Sequence, residues 1–111
     1  MLAGFLLVAV LSAAPTVQTF SGVVTDSMCA NGDHSGMRMG PNDAECTKAC
    51  VSVHGATYVL FDGKTTYALS DQRTPETFAG KKVTVTGTLD AKTNTIQVES
   101  ITERPERSNR Q

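Results

Sequence analysis

The run Phe78-Ala-Gly-Lys-Lys-Val-Thr-Val-Thr-Gly-Thr-Leu89 decides how this chain folds. From Lys82 onward it alternates, with Val83, Val85 and Leu89 on one face and threonines on the other. That period of two is the mark of a half-buried β-strand, and β-branched side chains suit its pleated surface. Just upstream, the stretch from Ser70 to Gly80 holds a short helical turn at Pro75-Glu-Thr-Phe-Ala79. Downstream, a turn over 90–94 leads into a further strand, Thr95-Ile-Gln-Val-Glu-Ser-Ile101. Farther back, strands at Thr57–Phe61 and Thr65–Leu69 flank Asp62-Gly63, a strong hairpin signal. The first strand is Gln18–Asp26, with Gly22 as a bulge or kink.

Residues 27–42 form a loop rich in Gly, Asn, Asp and Met. A helix then starts near Asn42 or Asp43, runs to about Val53 and stops at Gly55, a good left-handed cap. Five short strands with a helical turn between the third and fourth match the order of an OB-type barrel. The Phe78–Leu89 stretch also closely resembles the end of small exported bacterial OB-fold proteins, in which a short helix leads through Ala-Gly-Lys into the fourth strand. This resemblance covers about residues 18–102. It implies one mainly β domain: a small five-stranded OB-like barrel carrying a loop-helix insertion between strands 1 and 2. The polar tail, 103–111, is expected to be disordered.

The chain has 111 residues, room for one domain once a leader is removed. Residues 1–14 read as that leader. The apolar run is short for a membrane span, which needs about 20 residues, and it closes on Ser12-Ala13-Ala14. No Lys or Arg precedes it, and Pro15 leaves the cut uncertain by a few positions. The alternative is a buried N-terminal helix. Export, to the periplasm or beyond, is the expected localisation, and there thiols are paired or metal-bound. Ten Lys+Arg stand against eleven Asp+Glu for a net charge of -1, so nothing favours a nucleic-acid partner.

The chemistry concentrates in the insertion: Asp26-Ser27-Met28-Cys29, then His34, Met37 and Met39, then Glu45-Cys46-Thr47-Lys48-Ala49-Cys50. Cys46 and Cys50 are four residues apart, so on a helix their β-carbons lie about 5–6 Å apart on one face. A disulfide wants about 3.5–4.5 Å, so an intact helix does not suit a bond between that pair. Cys29, His34, Cys46 and Cys50 make a donor set that tetrahedral zinc accepts. Thioethers from Met28, Met37 and Met39 would favour Cu(I), with Met37 and Met39 as accessory ligands. The competing reading is a staple. A disulfide from Cys29 to Cys46 or Cys50 closes a loop of about 17–21 residues and contributes roughly 3 kcal/mol. The third cysteine then packs as a small hydrophobe, and the methionines fill gaps.

Other residues carry weaker signals. Asp26 and Ser27 suit a capped turn leaving strand 1, with Asp26 alternatively orienting His34. His54 falls at the helix C-terminus, where a cation is favoured. Asp33 lacks calcium-loop spacing. Phe20, Tyr58, Phe61 and Tyr67 read as packing residues, since no basic lining accompanies them. The pattern Asp-Ser-x-Cys, His, Met, Cys-Thr-x-x-Cys resembles a family of small exported bacterial proteins of uncharacterised function. It implies that these donors form one site, and it brings no substrate with it. The expectation is a non-catalytic exported binding or structural module with a zinc or copper site. A disulfide-stapled module docking an envelope protein is the alternative. A thiol-redox protein comes third, for want of a Cys-x-x-Cys in a thioredoxin-like setting.

Overall fold

The computed structural model describes Gly4 and residues 16–36 and 38–104. The expected leader, Met37 and residues 105–111 lie outside the described residues. Five strands, β1 (Gln18–Asp26), β2 (Tyr58–Phe61), β3 (Thr66–Leu69), β4 (Lys82–Asp90) and β5 (Thr95–Glu103), close into a ring in the order β1-β2-β3-β5-β4. Helix α1 (Asp43–His54) is inserted between β1 and β2. Short 3-10 turns at Ser27–Cys29 and Thr74–Phe78 complete the described elements. The small β-barrel read from the sequence is therefore the observed architecture.

Side-chain alternation explains the closure. Val83, Val85, Leu60, Ile96 and Val24 are fully enclosed, and Tyr58, Leu69, Ala79 and Ile101 complete the core around them. β4 and β5 run antiparallel along their length, with one register shift between Thr86 and Gly87. That shift inserts an extra β5 residue, and such a bulge increases the local twist a barrel needs. β1 changes partners near Val23, which faces Lys82 on β4 and Phe61 on β2. Gly22 makes the crossing feasible, because a β-carbon there would collide with the Phe61 carbonyl.

Two connections differ from their sequence reading. The β2–β3 link spans Asp62–Thr65 rather than a two-residue Asp-Gly turn. The Asp62 side chain accepts from the Lys64 and Thr65 N–H groups at 2.8 and 2.7 Å, and this local capture widens the turn. β5 continues to Glu103, where the tail was expected to begin, because Val83 still pairs with Glu103.

Helix α1 is fixed at both ends by its own sequence. Asn42 accepts from the Glu45 N–H at 2.9 Å, and Gly55 caps the C-terminus at φ 68°. The helix buries Cys46, Thr47 and Cys50, and Val51 packs against the barrel core. Its N-terminus rests on Gly80. At φ +74°, Gly80 donates its N–H to the Val24 carbonyl at 2.8 Å, and a β-carbon there would lie 2.8 Å from the Ala44 nitrogen. Gly80→Ala therefore combines left-handed strain with a clash against α1. We expect a loss of about 1–3 kcal/mol, read as a lower urea midpoint with an unchanged slope.

Candidate metal centre

Asp26 ends β1 and is fully buried. Its extended backbone (φ -117°, ψ 160°) lets the side chain fold forward over the turn that follows. Oδ2 accepts from the Met28 N–H at 3.2 Å and the Cys29 N–H at 3.0 Å, which caps the turn as the sequence suggested. Oδ1 lies 2.8 Å from Nε2 of His34. One carboxyl group thus ties together the end of the strand, the turn and the loop.

His34 reaches this buried place through its own loop. Asn31 accepts from the Asp33 N–H and Asp33 from the Ser35 N–H, at 3.0 and 2.9 Å. Such side-chain turns reverse the chain on either side of the histidine. The imidazole is enclosed, with Thr47 Oγ1 of α1 3.3 Å from Nε2. Its Nδ1 has no hydrogen-bond partner, alone among buried side-chain nitrogens and oxygens of the described residues. The nearest acid is Asp43, whose Oδ1 lies 3.4 Å away.

Cys29 follows on the same turn. Its carbonyl accepts from Thr25 Oγ1 at 2.9 Å and from the Gly32 N–H at 2.8 Å, so its backbone is held on both sides. One ligand atom each from Asp26, Cys29 and His34 can be chosen so that all lie within 4.8 Å of one another, and all three residues are buried. This is the ligand-like group among the described residues. Cys46 and Cys50 stand outside it, although both are fully buried on the facing side of α1. Cys46 Sγ reaches the Gly40 carbonyl at 3.3 Å. All three cysteines are free thiols in this structure. Met39 is exposed at the edge of the insertion, as is Met28.

The electrostatics follow from this crowding. Burial is the main cause that pushes the Cys50 thiol up to about 11, with the Asp26 charge adding to the effect. Cys29 is raised in the same way, by burial first and then by Asp26, Asp33 and Cys46. Without a cation these sulfurs stay protonated. A divalent ion would reverse the balance by favouring both carboxylate and thiolate.

The sequence reading named two of this group, Cys29 and His34, as donors but gave Asp26 only capping or orienting roles. Asp43 was read only as a helix start, and Thr47 only as part of the Cys-Thr-x-x-Cys pattern. The Asp-Ser-x-Cys spacing, in which a capping acid returns to the backbone of its own cysteine, was the signal that could have placed Asp26 in the group. Since both residues sit on one tight turn, whatever meets Cys29 also meets Asp26.

A family model described as a protein of unknown function (DUF5818) matches residues 51–104, which cover the end of α1 and strands β2 to β5. Asp26, Cys29, His34, Cys46 and Cys50 all lie before the matched segment. No curated protein and no solved structure matches the chain. Over β2 to β5, the chain is thus similar to an uncharacterised family.

Proposed function

We propose that this protein is an exported, non-catalytic metal-binding module whose centre is Asp26, Cys29 and His34, with the Cys50 thiol adjoining. The observation that carries the reading is the convergence of a carboxylate, a thiol and an imidazole within 4.8 Å of one another in a buried place. A mixed oxygen, nitrogen and sulfur set is zinc chemistry. Cu(I) favours sulfur, and Met28 and Met39 are exposed at the surface rather than enclosed with the group. Asp26, Cys29 and His34 would hold the ion, and Cys50, buried on the facing side of α1, would supply a fourth donor. Bound there, zinc would cross-link β1, the following turn and α1, so its chemistry is that of a structural or carrier site. The raised thiols argue against a nucleophilic role, since the thiolate is the reactive form.

Metal analysis of the chain purified from its export compartment tests this. We expect one zinc per chain, with proton release on loading. Cys29→Ser and His34→Ala should abolish stoichiometric binding, while Cys46→Ser should retain it. A second reading keeps support from the three thiols being buried together, with Cys29 and Cys46 both adding to the raised proton affinity of Cys50. It pairs Cys29 with Cys46 or Cys50 as a staple for an envelope interaction module. Metal-free protein with a single titratable thiol after denaturation would establish that reading and remove the metal.

A further inference from the structure

We infer that Asp43 is the positioning residue of this centre: its carboxylate accepts a hydrogen bond from Nδ1–H of His34, which holds the ring proton there and leaves Nε2 for the ion. The inference rests on the metal-binding reading above. A neutral imidazole carries one ring proton, and the hydrogen bonds on each nitrogen decide where it sits. In the structure Nε2 faces Asp26 Oδ1 at 2.8 Å and Thr47 Oγ1 at 3.3 Å, so a proton there is doubly accommodated. Nδ1 is enclosed and makes no hydrogen bond, yet Asp43 Oδ1 lies 3.4 Å away.

An ion bound by Nε2 needs the lone pair on that nitrogen. The ring proton must then leave Nε2 and reside on Nδ1, where an acceptor is required. Asp43 is the carboxylate at that position. It begins α1, but the helix does not depend on it, because Asn42 provides the cap. It makes no ion pair with Lys or Arg among the described residues. Its side chain is 61% exposed and borders a surface cavity with Asn31, Gly32 and Gly80, which gives the exchange a solvent route. The ring loses one proton and gains one, while the Cys29 thiol proton departs to water. Metal-bound histidines are commonly held by a carboxylate on their other nitrogen, and removing it typically costs 10–100-fold in affinity.

The test is long-range 1H–15N NMR of the histidine-labelled full chain, zinc-free and zinc-loaded, with His54→Gln used to assign His34. The zinc-free protein should show the proton on Nε2, and the loaded protein should show it on Nδ1. Asp43→Ala should bind zinc 10–100-fold more weakly at unchanged stoichiometry and an unchanged urea midpoint, with Asp43→Glu recovering part of the loss. Zinc on Nδ1, or undiminished affinity in Asp43→Ala, would overturn the role of Asp43 and leave the metal site standing. If the unaltered chain takes up no zinc, both fall together.

Discussion

Asp26→Ala should cost this domain about 3–5 kcal/mol of folding stability, seen as a large drop in the urea midpoint of the metal-free protein. The size follows from what one side chain satisfies. Its oxygens accept from the Met28 and Cys29 N–H groups and face Nε2 of His34. Each buried polar group left without a partner costs about 1–3 kcal/mol, and water entering the gap recovers part of the sum. Asp26→Asn keeps one acceptor oxygen and nearly the same volume, so it should lose only about 1–3 kcal/mol. Both variants should fail to bind zinc. If Asp26→Ala is as stable as the unaltered chain, the carboxylate does not organise the insertion. The metal proposal would then lose its scaffold.

The barrel was legible because each strand carried its own alternation and its neighbours supplied turn residues. Val83 and Val85 sit on the inner face in the structure as they do in the pattern. The ends of α1 were equally plain, since Asn42 and Gly55 act within their own turn of helix. What the sequence hid is contact between segments. Asp26 and His34 are eight residues apart, and only the folded loop shows that they meet. Cys46 and Cys50 share a helical face with Thr47, yet Cys46 Sγ reaches the Gly40 carbonyl while the Thr47 hydroxyl reaches His34. Spacing sets which residues share a face, but not which atom each will reach. For the same reason Asp43 read only as the start of a helix. Its meaning comes from an imidazole that the chain had placed nine residues earlier.

Thiol chemistry separates a buried metal centre from a redox protein, and here the expected effect is large. A Cys50 thiol moved from 9.0 to about 11 carries roughly a hundredfold less thiolate at neutral pH than an ordinary cysteine. Burial slows any reagent further. Alkylation of the native, metal-free protein at pH 7 should therefore be at least about a hundredfold slower at Cys50 than in the urea-unfolded chain, with mass spectrometry of the peptides as the readout. Because the negative charge of Asp26 adds to the shift, Asp26→Asn should accelerate the modification of Cys50. The same shift sets a sign for stability. The folded state holds the thiol proton more tightly than the unfolded one, so the contribution is complete below pH 9. It is lost as pH rises toward 11, and the urea midpoint should fall across that window. Rapid labelling of native Cys50 at neutral pH would mean an activated thiolate, and exchange chemistry would then displace metal binding as the use of this insertion.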